Sequence, residues 1–209
     1  MKPEDPIARA AADVIGLYTR HADLWDRLRG SDLGVESAWM GRFIARLPPG
    51  GRILDRGCGT GRPIGAWLLD QGFHVTGADA SGPAIDRARD RLPAGTWICA
   101  EMRGLDMGQT FDGLLVWDSL FHLTAADQAA LFPVLGAHAA PGAVLMFTSG
   151  PDAGVAMGEF GGEPLHHASL SPADYRARLA DAGFGVLDFR PEDPDCGGHS
   201  VWLARRLLG

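Results

Sequence analysis

The pattern of apolar and polar positions divides the chain into helical segments and short apolar runs, separated by breaks rich in glycine and proline. Residues 6–29 place Ile7, Val14, Tyr18, Trp25 and Leu28 at helical spacing. Residues 32–47 repeat the pattern with Val35, Trp39, Phe43 and Leu47 behind a candidate Asp32 cap, and Pro48 and Pro49 end this leader. A strand over 51–56 follows, then a helix carrying Ile64, Trp67 and Leu68 that ends at Gly72, and a second strand over 73–78. Ser81 caps a predicted helix over 81–92, with Pro83 in its first turn, and Thr96 to Cys99 form a third strand. FDGLLVWD, Phe111 to Asp118, is the most apolar run, as expected of a central strand covered on both faces. Thr124 to Ala139 reads as a helix kinked at Pro133, Gly142 to Thr148 as a fifth strand, and Ser171 opens a helix that ends at Gly183.

The last two predicted strands, 184–190 and 199–205, are joined by PEDPDCGG. A connection that short cannot make a parallel crossover, so these two are antiparallel neighbours. Residues 150–170 fit no element. A connection of ~20 residues on the carboxyl edge of an open sheet, where ligands bind, reads as a substrate loop.

Composition narrows the function classes. The 209 residues suit one domain, divided here into a helical leader, 1–48, and an α/β body, 49–209. No apolar run reaches the ~20 residues needed to span a bilayer. Met1 to Gly16 carries early acids and no cleavable apolar segment, so a cytoplasmic protein without a membrane partner is expected. A formal net charge of −7 without a basic cluster argues against nucleic acid as a partner. Cys58, Cys99 and Cys196 lack zinc-type spacing; Cys196 and His199 in DCGGH read as a turn, so no metal is expected.

The chemistry concentrates in ILDRGCGTG, Ile53 to Gly61. Two aliphatic residues and a carboxylate precede Gly57, Gly59 and Gly61, a strand followed by a turn that lets a ligand approach the main chain closely. The second strand ends in Asp79, about 20 residues on, where a ribose-binding acid sits in doubly wound folds. A dinucleotide site wants G-x-G-x-x-G, and the third position of that pattern is Arg62 here. ILDRGCGTG followed by VTGADAS resembles the first two motifs of the class I S-adenosylmethionine-dependent methyltransferases, and WDSLFHL with the closing hairpin extends the resemblance from Leu54 onward. Together these segments resemble small bacterial members of that family.

The resemblance implies a doubly wound, Rossmann-like sheet of seven strands, order 3-2-1-4-5-7-6 with strand 7 antiparallel, and S-adenosyl-L-methionine as cofactor. It implies methyl transfer to O, N or S of a small-molecule acceptor by a monomer or homodimer. By position, Asp55 would brace the glycine turn, Gly57 would offer its carbonyl to the methionine amine and Gly59 would allow close approach. Asp79 would accept both ribose hydroxyls, Ala80 would lie against the adenine, and Glu101 with Met102 would meet the adenine edge. Trp117 and Asp118 would border the methionine end, and Tyr18 or Trp25 from the leader would lie against the ligand. Arg56 departs from the aliphatic residue common in the family; it either reaches the cofactor carboxylate or points to solvent. The family usually has aspartate where Glu101 stands, and the motif associated with planar nitrogen acceptors is replaced by WDSLFHL.

Alignment supplies much of the acceleration in an in-line methyl transfer, and a base is needed only if the acceptor must lose a proton early. His122 is the first candidate for that base, because imidazole titrates near working pH. His166, His167 and Glu159 are second candidates, with at most one of the adjacent histidines facing the site. Two other readings stay open: a non-catalytic sensor or partner module that binds the same ligand, and a dinucleotide-dependent oxidoreductase.

Overall fold

The computed structural model describes residues 5–208, so the first four residues of the leader and Gly209 lie outside the described residues. Five buried strands form its centre: β1 (Arg52–Arg56), β2 (His74–Asp79), β3 (Thr96–Cys99), β4 (Phe111–Val116) and β5 (Ala139–Ser149). They pair in parallel in the order β3-β2-β1-β4-β5. Leu114, Leu115 and Val116 have no solvent exposure because helices cover both faces, which explains a continuous rather than alternating apolar run.

On one face α3 (Ser37–Ile44), α4 (Ile64–Asp70) and α5 (Gly82–Arg91) join the core through Trp39, Met40, Phe43, Leu68 and Ile85. On the other, α6 (Ala125–His138) and α7 (Pro172–Asp181) contribute Leu131, Phe132, Tyr175 and Leu179. Thr124 and Ser171 cap their helices by accepting the amides of Asp127 and Asp174 at 3.2 and 3.1 Å. Ser81 precedes α5 without a side-chain cap bond, and α6 runs on through Pro133.

The sheet closes with β8 (Phe184–Asp193) and β9 (His199–Arg206). β9 inserts antiparallel between β5 and β8, which completes the seven-stranded order β3-β2-β1-β4-β5-β9-β8. Counted within this sheet alone, that is the expected 3-2-1-4-5-7-6 arrangement. Trp202 of β9 locks the insertion. Its ring is stacked near parallel on Phe147 and Phe189, with centroids at 5.7 and 3.8 Å, and its indole N–H donates to Ser149 Oγ at 3.0 Å.

Three expectations need correction. The leader is not one helix over 6–29: α1 (Pro6–Arg20) and α2 (Ala22–Arg29) meet at His21, and Ile7 and Leu28 are exposed rather than part of a buried stripe. Asp32 caps nothing, since α3 starts at Ser37 and Val35 lies in solvent. Residues 150–170 are not a structureless loop. They hold an antiparallel hairpin, β6 (Gly154–Phe160) and β7 (Glu163–Ser169), turned by Gly161 and Gly162 at φ 61° and 82°. The hairpin packs on α1 through Leu165 against Val14 and Leu17, and Glu163 pairs with Arg20 and His21.

Trp202→Ala should lower unfolding stability by about 3–5 kcal/mol, the range for truncating a fully buried large aromatic. Urea unfolding followed by far-UV circular dichroism measures it, and a loss under 1 kcal/mol would show that the β5–β9 insertion does not depend on this ring.

Candidate functional site

The glycine turn after β1 is stitched onto the end of β2. Ala78 O accepts the amides of Gly57 and Cys58 at 2.8 and 3.2 Å. Asp79 completes the stitch, with Oδ2 accepting Gly59 N–H at 2.9 Å and Oδ1 accepting Ser81 N–H at 2.8 Å. Gly57 has φ 80°, and a Cβ there would meet Ser119 Cβ at 2.3 Å, so only glycine fits. Gly59, at φ 54°, faces the indole of Trp25, which a Cβ would meet at 3.1 Å.

Above this turn opens a cavity of about 370 Å³, within the range of small-molecule sites. Gly57, Gly59, Asp79, Ala80, Glu101, Met102, Asp118 and His122 line it from the sheet side, and Tyr18 and Trp25 from the leader. Its charged groups are four carboxylates, Asp79, Glu101, Asp118 and Asp127, and one guanidinium, Arg103, which pairs with both Glu101 and Asp127. Burial raises the Asp79 carboxyl above its ordinary value despite the backbone amides that oppose it.

The leader forms the outer wall. Ala8, Ala11, Ala12 and Ile15 of α1 face the cavity at helical spacing. That row of small residues was the readable sign of a face reserved for a ligand. Tyr18 is half-buried among Trp25, Phe160 and His122, with ring centroids at 5.5, 5.2 and 5.2 Å.

His122 is tied at both nitrogens. Nδ1 lies 3.2 Å from the carbonyl of His166, which can only accept, so Nδ1 carries the proton and Nε2 accepts from Tyr18 OH at 2.9 Å. Burial pushes its pKa down to about 4, and burial raises the Tyr18 phenol well above its ordinary value. Neither group is poised to take a proton at neutral pH.

Several of the expected site residues do not line this cavity. Arg56 reaches neither a cofactor position nor solvent. It is fully buried and donates to the carbonyls of Met102 and Leu105 at 3.3 and 3.2 Å. Trp117 is buried and stacked on His199, with centroids 5.8 Å apart. Asp55 sits 3% exposed beneath the turn and outside the cavity wall. Glu159 is exposed on β6 and lines neither cavity, and His166 is buried with Nδ1 unpartnered.

A second cavity of about 500 Å³ lies beside the first, between the hairpin, the loop after β5 and the β8–β9 turn. Phe121, His167, His199 and Ser169 line it. The segment 118–122 separates the two cavities. Asp118 takes φ 49°, a conformation rare for a residue with a Cβ; its amide donates to Thr148 Oγ1 at 2.9 Å and its Oδ1 lies 3.0 Å from His199 Nε2. His199 Nδ1 lies 2.6 Å from Cys196 O, and with Nε2 facing Asp118 the surroundings favour the protonated ring, its pKa raised first by the Asp118 bond. Among the described residues no cluster of three or more potential metal ligands exists, and no helix is long and apolar enough to cross a membrane.

Asp55 makes stability depend on pH. Burial first, and Asp79 second, push its carboxyl up to about 7, against an ordinary 3.8. A carboxyl raised in the folded state stabilises fully below 3.8 and loses that contribution as the pH rises to about 7. Relative to Asp55→Asn, the ligand-free wild type should therefore lose stability across that window and run parallel to it above and below. Urea midpoints at several pH values test this; parallel curves throughout would refute it.

Comparison with known proteins agrees with the geometry. Residues 53–142 match the family model described as a methyltransferase domain. Malonyl-[acyl-carrier protein] O-methyltransferase of Salmonella typhimurium is 33% identical over 144 residues, 68% of this chain and 53% of that protein. Magnesium-protoporphyrin O-methyltransferase of Rhodobacter capsulatus is 34% identical over 102 residues, 45% of each chain. The chain thus spans about half the length of the curated relatives it matches. Among solved structures, the Burkholderia thailandensis 1,6-didemethyltoxoflavin-N1-methyltransferase with bound S-adenosylhomocysteine superposes with a TM-score of 0.76 at 19% identity, covering 99% of this chain and 93% of that one. Strand order, glycine turn and these matches place the chain in the class I S-adenosylmethionine-dependent methyltransferase family.

Proposed function

We propose that this protein transfers a methyl group from S-adenosyl-L-methionine to a small-molecule acceptor. The observation that carries the reading is Asp79. Both of its oxygens are oriented by backbone amides at the edge of a cavity whose other charges are mostly carboxylates. Each oxygen keeps a lone pair for a ribose hydroxyl, and the acidic lining suits a ligand that carries a sulfonium and an ammonium. A pyrophosphate would meet the same carboxylates as repulsion, which disfavours a dinucleotide. The glycine cradle fits the same ligand, since a Cβ at Gly57 or Gly59 would fill space that a close-lying nucleoside needs.

The cofactor supplies an electrophilic methyl on sulfur. The chain's own residues bind and align: Asp79 the ribose, Ala80 and Met102 the adenine, Asp118 the methionine amine, with Tyr18 and Trp25 excluding water from the leader side. Residues 5–48 act as the lid of this unit rather than as an independent domain, since α3 belongs to the core. The curated relatives named above are O-methyltransferases, which supports a small organic acceptor. A net charge of −7 speaks against nucleic acid, and three free cysteines fit a cytoplasmic location.

Isothermal titration with S-adenosylmethionine and S-adenosylhomocysteine tests the reading. Both should bind, and Asp79→Ala, which removes two hydrogen bonds to a charged acceptor, should weaken binding about 100-fold or more. NADH should give no fluorescence enhancement. Silence from both nucleosides, or undiminished binding by the variant, would sink the proposal.

A further inference from the structure

We propose that His199 is a positioning residue for the amino-acid end of the cofactor: it holds one oxygen of Asp118 from outside the cofactor cavity, so that the other oxygen is presented to the methionine ammonium. This inference rests on the methyltransferase reading and adds to it a residue that never touches the ligand.

The four carboxylates of the cavity are not equivalent. Asp79 has both oxygens on backbone amides, and Glu101 and Asp127 are paired with Arg103. Among the described residues, Asp118 alone of the four has neither an arginine nor a backbone amide on its carboxylate. Its one basic partner is His199, whose Nε2 lies 3.0 Å from Oδ1. Thr148 Oγ1 lies 3.4 Å from the same oxygen. Oδ2 has no partner among the described residues, which leaves it as the open acceptor of a side chain that lines the cavity.

The mount behind this contact is tied down on every side. His199 starts β9, and its Nδ1 lies 2.6 Å from the carbonyl of Cys196, across a turn built on Gly197 and Gly198 at φ 62° and 80°. Gly198 N–H donates to Asp193 O at 2.9 Å. Asp193 Oδ2 in turn accepts the indole N–H of Trp39, a buried residue of α3, at 2.8 Å. The imidazole also stacks on Trp117, the residue before Asp118, with ring planes 25° apart. DCGGH, which reads in the sequence as a plain turn, is thus the bracket that brings a ring nitrogen to Asp118.

Asp118 has little else to fix its carboxylate. Its own amide is held by Thr148 Oγ1 at 2.9 Å, but its backbone is at φ 49°, a conformation rare for a residue with a Cβ. Side-chain exposures of 21% for Asp118 and 28% for His199 keep the pair largely out of water, where it is worth more than a surface pair. His199 lines the second cavity and not the first, so it reaches the cofactor only through Asp118. Without the ring, the ligand itself would have to order the carboxylate, at a cost in affinity. Ring and ammonium take different oxygens of one carboxylate and so do not compete for an atom. Glu163 likewise serves two basic side chains, Arg20 and His21.

Two ligands separate this role from general support of the cavity: S-adenosylhomocysteine, and 5′-methylthioadenosine, a nucleoside thioether that lacks the amino-acid end. Isothermal titration of the wild type should show tighter binding of the first. His199→Ala should weaken S-adenosylhomocysteine about tenfold and change 5′-methylthioadenosine by less than about twofold. His199→Gln, whose amide nitrogen can stand where Nε2 stands, should restore most of the loss. Asp118→Asn, a residue suited to the positive φ, should also weaken S-adenosylhomocysteine, and His199→Ala should add nothing in that background. Equal loss of both ligands in His199→Ala would make the residue structural and overturn the inference. Unchanged S-adenosylhomocysteine affinity, no recovery with glutamine, or additive effects in the double variant would overturn it as well. A wild type that binds S-adenosylhomocysteine no better than 5′-methylthioadenosine would refute this inference and leave the methyltransferase reading intact; a wild type that binds neither would remove that reading itself.

Discussion

One carboxylate organises the carboxyl edge of the sheet. Asp79 accepts an amide from the glycine turn at one oxygen and an amide from the start of α5 at the other, so the ends of β1 and β2 move as one piece. Without it Gly59 would lose the acceptor of its amide, and the turn would hang on the Ala78 carbonyl that holds Gly57 and Cys58. The arrangement is costly in the free protein. Asp55 lies just behind, and burial raises both carboxyls, with Asp79 adding to the shift of Asp55. Two poorly solvated acids beside an acidic cavity are a local cost that the proposed cationic cofactor would relieve.

The same edge carries the wall between the two cavities. Strand β4 ends where the chain must turn sharply, and there Asp118, at φ 49°, has its amide held by Thr148 of β5 and its carboxylate by His199 at the start of β9. β9 reaches this position only because it is inserted antiparallel, which brings His199 at its start to the carboxyl edge. Parallel insertion would have put its other end there. The terminal hairpin is therefore part of the site's architecture as well as of the sheet.

How much of this was legible in the sequence follows from where the physical signal lies. Fully buried parallel strands are continuous apolar runs, so β1 to β5 could be read, as could the glycine turn and Asp79, whereas the strand order came only with the family resemblance. The hairpin β6–β7 could not. β6 is exposed over nearly its whole length, with Gly154 and Gly158 interrupting any alternation, and its partner strand gains its burial from α1, a segment about 150 residues away in sequence. His21 breaks the leader with no proline or glycine to announce it, since the turn is fixed by its bond to Glu163. The histidines show the same limit. Four of them stand near the two cavities, and nothing in their spacing tells which nitrogen is already occupied; that depends on carbonyls brought in from other elements.

Arg56 shows why a departure inside a motif need not lie in the site. Its guanidinium is buried without a carboxylate partner, an arrangement usually costly unless the donors are used. Two of its N–H groups meet the carbonyls of Met102 and Leu105, Nε remains without a partner, and burial lowers its pKa to about 10. The nearby ring of His138 gives it no negative charge. Met107 N–H occupies Nε2 at 2.9 Å, so Nδ1 carries the proton toward Val134 O at 2.7 Å and only skirts the guanidinium. The net effect is mechanical. Arg56 holds residues 102–105 to β1, while His138 holds residue 107 to α6, so the segment that presents Glu101 and Met102 to the cavity is anchored from behind at three points. An aliphatic residue at this position would pack well but could not reach those carbonyls. The Glu101 side of the cavity would then depend on the Met107–His138 bond and on the surface pairs of Arg103, which contribute little when solvent-exposed.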